Sequence, residues 1–301
     1  MITPSILDAI GNTPLLEIEP GIFAKAEYLN PSGSIKARMA KYLVEKAEED
    51  GLLKPGMTIV ESTSGNTGNA FSLIAAAKGY KMIVLIPEGY TNERTLISRG
   101  FGAEVRHLGY FHVNQARETA IEMGKEDGFY CPAQFDSEWN VEENEKWLGP
   151  EILNDISDKE IVFDAMVQGV GTGGTLIGVA KCLKREHNPN LKVFAMEPLE
   201  SPTLTKGIVE THRIEGINDG FVPSIYERHA PGLVDEVITV KGDEAIDAAK
   251  MLAAKKGLFV GPSSGANYMA ALEIKRRNPD IKNILTFLCD KGEKYLSILY
   301  R

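Results

Sequence analysis

Short apolar, β-branched runs alternate along the chain with longer stretches of helical spacing. The runs are MTIVES (57–62), KMIVLIP (81–87), AEVRHLG (103–109), IVFDAMVQGVG (161–171), LKVFAMEP (191–198), VITV (237–240) and NILTFLCD (283–290). Between most of them apolar residues recur every three or four positions, as in AFSLIAAAKGY, VNQARETAIEMGKEDG, LIGVAKCLKREHN and DEAIDAAKMLAAKKG. Near-continuous apolar strands joined by helices predict an α/β protein with parallel sheets. The rhythm breaks after residue 133, at the polar, Trp-containing QFDSEWNVEENEKW, where a domain boundary is expected. Two doubly wound units place ligands where strands hand over to helices, in a cleft between the units.

Composition narrows the function classes. The 301 residues, 43% of them hydrophobic, suffice for about two cores. Thirty-three basic against 42 acidic residues give a formal net charge of -9, and no basic run carries interleaved aromatics, which argues against a nucleic-acid partner. The opening MITPSILDAIGNTPLL lacks the charged start and apolar core of a signal peptide, and no segment has the apolar length of a membrane span. A cytoplasmic protein without a membrane partner is expected. Cys131, Cys182 and Cys289 are too few and scattered for a disulfide framework or zinc site, and the five histidines lack metal-ligand spacing, so no metal is expected.

Four small-residue junctions carry the candidate chemistry. In NPSGSIKARM (30–39) a turn-forming loop precedes a helix spaced over 35–47, Ser34 is placed to cap it, and Lys36 falls in its first turn. Taken singly this is an ordinary solvated helix lysine. A helix N-terminus, however, disfavours added positive charge and favours an anionic ligand, so a lysine there suits carbonyl chemistry better than an ion pair. STSGNTGNA (62–70) brings backbone N–H groups, the hydroxyls of Thr63, Ser64 and Thr67 and the Asn66 amide to a second helix start. That makes either a carboxylate cradle or an ordinary cap and turn. It lacks the Lys-Ser/Thr ending of a nucleotide P-loop. QGVGTGGTL (168–176) satisfies G-x-G-x-x-G through Gly169, Gly171 and Gly174, with Glu197 at the spacing of a ribose-binding acid, so a dinucleotide-dependent oxidoreductase is a rival reading. The same glycines, with Thr172 and Thr175, equally wrap one phosphate monoester. VGPSSGANYMAA (260–271) sets Ser263 and Ser264 before another helix, where a plain serine cap is the simplest account.

Together, the lysine near 36, Ser-Gly-Asn-Thr-Gly near 66, Gly-Thr-Gly-Gly-Thr near 171 and Gly-x-Ser-Ser-Gly near 261 resemble the fold-type II pyridoxal-phosphate enzymes. The likeness is nearest to the cysteine synthase (O-acetylserine sulfhydrylase) and cystathionine β-synthase branch, and IGNTPLL and KGEKYLS extend it to both ends. It implies a tryptophan synthase β-like fold of two doubly wound α/β domains with mainly parallel sheets. The expected division is a smaller mobile unit over 35–141 carrying the carboxylate loop and a larger unit, 1–34 with 142–301, carrying the phosphate loop. The resemblance makes pyridoxal 5′-phosphate the cofactor and Lys36 its Schiff-base lysine and α-proton acceptor. Asn66 then bonds the cofactor's 3′ oxygen, Gly171, Thr172, Gly173, Gly174 and Thr175 its phosphate, and Ser263 the pyridine nitrogen. Thr63, Ser64, Thr67 and Gln134 bind the substrate carboxylate. The implied reaction is β-elimination to a bound aminoacrylate and addition of a nucleophile, with O-acetylserine and sulfide giving cysteine. Members are commonly homodimers, and some bind the tail of serine acetyltransferase, which makes that enzyme a candidate partner.

Two positions depart from the branch. The acid usual after the lysine is Ala37 here, a position where members vary. In IEGINDGFVP (214–223), Asn218 and Asp219 replace small residues. Asp219 is either a turn residue or a carboxylate able to orient or deprotonate water or to bind an amine; with water as nucleophile, cysteine goes to serine with release of hydrogen sulfide. For a phosphoserine substrate the sequence offers no obvious phosphate-binding arginine, with Arg213 and Arg228 the candidates to contribute.

Overall fold

A computed structural model describes residues 2–300. Ten strands occur among them: β1 Leu15–Glu19, β2 Ile22–Lys25, β3 Thr58–Ser62, β4 Lys81–Glu88, β5 Glu104–Tyr110, β6 Phe129–Tyr130, β7 Ala165–Gly169, β8 Lys192–Pro198, β9 Glu236–Val240 and β10 Ile284–Phe287. They make a six-stranded sheet, β1-β2-β10-β7-β8-β9, and a four-stranded sheet, β5-β4-β3-β6. All strand pairings are parallel except β1 with β2. The fold is α/β with mainly parallel sheets. One correction concerns residues 15–25, where an antiparallel hairpin escaped the periodicity because LLEIE mixes charge with apolar residues and IFAK has only four positions.

Two-sided burial explains the apolar runs. Ala165 and Val167 of β7 face a core shared with Ala266, Ala270 and Ile274 of helix Pro262–Arg277. Met166, between them, faces Leu176, Val179 and Leu183 of helix Gly174–Glu186. Alternate residues thus enter different cores, and no face remains for polar side chains. In the smaller sheet Ile59 and Val84 meet helices Lys36–Glu49 and Asn66–Lys78, while Val60 and Leu85 meet Ala116 and Ala120 of helix Asn114–Met123. Among the described residues, no helix is long and apolar enough to cross a membrane.

The polar stretch after residue 133 is helical. It folds into helix Glu138–Glu143, a π-turn over Asn144–Leu148 and helix Gly149–Asp155. These pack so closely on helix Gly174–Glu186 that a Cβ added at Gly178 would lie 2.4 Å from the Val141 carbonyl oxygen. Asn140 Nδ2 donates to the Gln134 carbonyl at 2.8 Å and to Thr172 Oγ1 at 2.9 Å, so this segment joins one candidate loop to another.

Ser34 does not cap the first long helix. Ile35, already helical, precedes it; the Ser34 hydroxyl is buried without a partner, and its backbone bridges to Asp290. The helix start is anchored instead by Arg38, fully buried, whose guanidinium bonds Glu27 (2.8 Å from both Nε and Nη2) and Glu151 (2.7 and 2.8 Å). Lys25 joins the cluster through Glu151 at 2.8 Å and Asp155 at 2.5 Å.

Glu143 sits beside this cluster, buried, with Oε1 unpartnered; burial pushes its carboxyl up to about 8. A carboxyl raised on folding contributes stability below its unfolded value, near 4.5, and loses it as pH rises towards 8. Glu143→Gln should therefore stabilise the protein at pH 8 by on the order of a few kcal/mol, the gain fading towards pH 4.5. Denaturant titrations across that range check it; a pH-independent difference refutes the assignment.

Candidate active site

Two of the candidate loops leave the C-terminal ends of central strands. β3 ends at Ser62, and the chain turns through Thr63, Ser64 and Gly65 into helix Asn66–Lys78. Gly65 has φ 144°, and a Cβ there would lie 2.0 Å from Arg94 Cδ, so only glycine fits the turn. The Gly65 N–H donates to Thr63 Oγ1 at 2.8 Å, and Arg94 Nη1 donates to the Ser64 carbonyl at 2.5 Å. β7 ends at Gly169, and Gly173, with φ 90°, caps helix Gly174–Glu186. A Cβ on Gly174 would meet Asn140 Oδ1 at 2.1 Å. The first-turn N–H groups of both helices lack intrahelical acceptors, which suits them to anions.

These loops meet. Lys36, Thr63, Ser64, Asn66 and Thr67 line one cavity of about 260 Å³ with Gln134, Gly171, Thr172, Gly216 and Asp219. Gly173, Gly174 and Thr175 continue from that wall into the helix. Ser263 does not line the cavity; it lies buried in the first turn of helix Pro262–Arg277, beside Ser264, whose Oγ accepts from the Cys289 N–H at 2.8 Å. A larger surface cleft of about 750 Å³ between Val222 and Val237 contains none of the candidate groups, so chemistry rather than volume marks the site.

Gln134 is held in one orientation. Its Oε1 accepts from Thr67 Oγ1 at 2.6 Å and its Nε2 donates to the Ser62 carbonyl at 2.8 Å. Its backbone N–H donates to Glu61 Oε2 at 3.1 Å, and burial pushes that carboxyl up to about 7. Glu61 drew no notice in the sequence, where one acid in a strand reads as an exposed position.

The loop carrying Asp219 is unusually bent, with φ 97° at Gly216, 54° at Asn218 and 96° at Gly220. Asparagine tolerates the left-handed region, and here four bonds pin it. Its N–H donates to the Val170 carbonyl at 3.0 Å, its Oδ1 accepts from Thr203 Oγ1 at 2.9 Å, its Nδ2 donates to the Ser201 carbonyl at 2.5 Å, and its carbonyl lies 3.1 Å from His212 Nε2. Asp219 follows, 7% exposed, with Oδ1 unpartnered. Burial raises its pKa, opposed by the Ser64 hydroxyl and the charges of Lys36, Arg94 and His112.

Two sequence expectations change. Glu197, the acid of the dinucleotide reading, is buried and already occupied, accepting from the Leu204 N–H at 2.6 Å and Thr205 Oγ1 at 2.5 Å. Arg213 and Arg228 do not reach the cavity; they pair at the surface with Asp243 and Glu138.

A family model described as "Pyridoxal-phosphate dependent enzyme" matches residues 6–290. The chain is 39% identical to a cysteine synthase of Staphylococcus aureus over 301 residues, covering 97% of this chain and 95% of that one. The structure of an O-acetylserine dependent cystathionine β-synthase from Helicobacter pylori is similar at a TM-score of 0.92 and 34% identity, with 100% of both chains covered. That of a hydrogen sulfide-producing enzyme from Fusobacterium nucleatum is similar at a TM-score of 0.91 and 35% identity, covering 98% of this chain and 100% of the other.

Proposed function

Because this chain belongs to the pyridoxal-phosphate dependent enzymes, we propose that its cavity works as a cysteine synthase-like site, joining a β-substituted L-alanine to a nucleophile. The carrying observation is the meeting of Lys36 with the Thr63–Thr67 turn and the Gly171–Thr172 loop in one cavity. The donor set fits the cofactor: an amine for its aldehyde, and a helix start too crowded for side chains, at Gly174, for its phosphate. Bound pyridoxal phosphate draws electrons from the substrate's α-carbon, which eases loss of the α-proton and of the β-substituent.

The chain's own residues do the rest. Lys36 Nζ holds the cofactor and takes the α-proton. Gly171, Thr172, Gly173, Gly174 and Thr175 bind the phosphate and Asn66 the ring's 3′ oxygen; Ser263, which does not line the cavity, is assigned to the ring nitrogen by the family resemblance alone, where a hydroxyl leaves that nitrogen unprotonated. Thr63, Ser64, Thr67 and the oriented Gln134 bind the substrate carboxylate. Movement of the unit 35–141 over that carboxylate excludes water. O-acetylserine and hydrogen sulfide give cysteine and acetate. Incubation of the purified protein with O-acetylserine, serine or cysteine against sulfide, homocysteine or water, with products read by mass spectrometry, tests this. No β-replacement product from any pair overturns it. A cytoplasmic homodimer, with serine acetyltransferase as a candidate partner, is the setting the family resemblance supports.

Asp219 favours a second reading, in which water attacks and cysteine becomes serine and hydrogen sulfide. Sulfide is largely anionic near neutral pH and needs no base, whereas water gains from a carboxylate beside the β-carbon. Asp219→Ala should keep the first burst of one sulfide per site from cysteine but lower steady-state serine formation by about 10²-fold or more. Serine formation by the unaltered protein should fall as acid protonates Asp219, with the midpoint above the ordinary aspartate value. Equal loss of burst and serine, or no loss, leaves Asp219 a turn residue and cysteine synthesis the sole reading.

A further inference from the structure

Asn66 lies on the cavity wall with its amide gripped from both ends. Lys294 Nζ donates to Asn66 Oδ1 at 2.8 Å and to the Ser32 carbonyl at 2.9 Å. Lys294 is only 3% exposed and both these acceptors are neutral, and burial pulls its ammonium down to about 7 against the opposing pull of Asp290. On the other side Asn66 Nδ2 donates to Asp290 Oδ2 at 2.5 Å, and the same oxygen accepts from the Tyr295 hydroxyl. Asp290 is fully buried, and a Cβ on Gly261 would lie 2.4 Å from its Oδ1, so the carboxylate occupies space that only glycine leaves free. Tyr295 is held in turn by the Arg94 guanidinium, 4.6 Å above its ring.

A primary amide has one accepting end and one donating end. With a lysine donor on the oxygen and a carboxylate on the nitrogen, a half-turn of the group would set oxygen against oxygen at Asp290 and forfeit the charge-assisted bond there. Of the two Nδ2 hydrogens, Asp290 takes one. The other is left for the cavity, which therefore meets a donor at this point of its wall.

We propose that Lys294 and Asp290 are positioning residues that fix the hand of the Asn66 amide, so that it presents an N–H to the anionic ring oxygen of bound pyridoxal phosphate; this rests on the role given to Asn66 above. Neither residue touches the reacting atoms. Both act through Asn66, and burying a lysine and an aspartate here is the cost of that single orientation.

The test uses the reconstituted holoenzyme and two readouts besides turnover: the dissociation constant for pyridoxal phosphate and the visible absorption band. Lys294→Met should weaken binding about tenfold and move the band to shorter wavelength, because loss of a donor disfavours the ionised ring oxygen. Asp290→Asn, nearly isosteric, should shift the band in the same sense, and Lys294→Arg should restore it by donating to the same two carbonyls. Asn66→Ala should show the full effect, with no further change when Lys294→Met is added. If Lys294→Met and Asp290→Asn both fold and leave band and affinity unchanged while Asn66→Ala alters them, the clamp is refuted and the role of Asn66 stands. An undiminished effect of Lys294→Met in the Asn66→Ala background refutes it as well. If Asn66→Ala alters neither readout, the role of Asn66 falls and the clamp with it.

Discussion

Lys36→Ala is expected to abolish β-replacement, by about a thousandfold or more, while leaving the fold intact. The residue is half-buried on the cavity wall, and the role proposed for its Nζ combines two tasks, holding the cofactor and accepting the α-proton, so truncation would remove both at once. Packing loses little, because the apolar contacts of this helix are made by Met39, Ala40, Leu43 and Val44. Cofactor retention separates the tasks. Borohydride followed by denaturation should leave pyridoxal phosphate bonded to the chain in the unaltered protein and free in the variant, although the phosphate loop still binds it in the folded state. Far-UV circular dichroism should match. Appreciable steady-state turnover by the variant without an added amine would overturn the assignment of Lys36.

Arg38→Met should produce the largest loss of stability, about 3–5 kcal/mol, because it strands two buried carboxylates. Glu27 is wholly buried and Glu151 nearly so, and each accepts a bidentate pair from the same guanidinium. Lys25 remains near Glu151 but leaves Glu27 with hydrogen-bond donors and no cation in contact. A fall in melting temperature of roughly 10 °C is expected. Replacing Glu27 and Glu151 as well should recover much of it, since the penalty lies in the unpaired charges rather than in the loss of a favourable pair. A single-variant loss below about 1 kcal/mol would place water or another cation in the cluster.

The parts of the fold legible in the sequence were those decided within a few residues. β7 and β8 read as strands because both faces are buried, and the loops after β3 and β7 read as loops because the turn from strand to helix admits only small residues. Most candidate residues then fell on one cavity wall. What escaped was decided by partners distant along the chain. Arg38 and Glu151 are 113 positions apart and Asn66 and Lys294 are 228 apart. In the sequence Arg38, Glu151 and Lys294 each look like one more solvated charged residue, since nothing local distinguishes a buried charge from an exposed one. Asn140 carries no local signal for a related reason: its neighbours are polar, and only the packing of its helix shows that the amide is buried. Ser34 was misread because a serine before a helix is ordinarily its cap, whereas here the backbone is drawn aside to Asp290.

The Asn140 amide, bonded at once to the Gln134 carbonyl and to Thr172, has a consequence for recombining this enzyme with its relatives. A crossover placed between residues 134 and 172 separates the half carrying Gln134 from the half carrying the Gly171–Thr175 loop, which share this one side chain and the space it takes from Gly174. Parental halves that differ at position 140 or 174 then inherit mismatched seams, and their combined defect exceeds the sum of the separate exchanges. Breakpoints before residue 134 or beyond residue 178 transfer the seam whole, so hybrid enzymes cut there keep both halves in register.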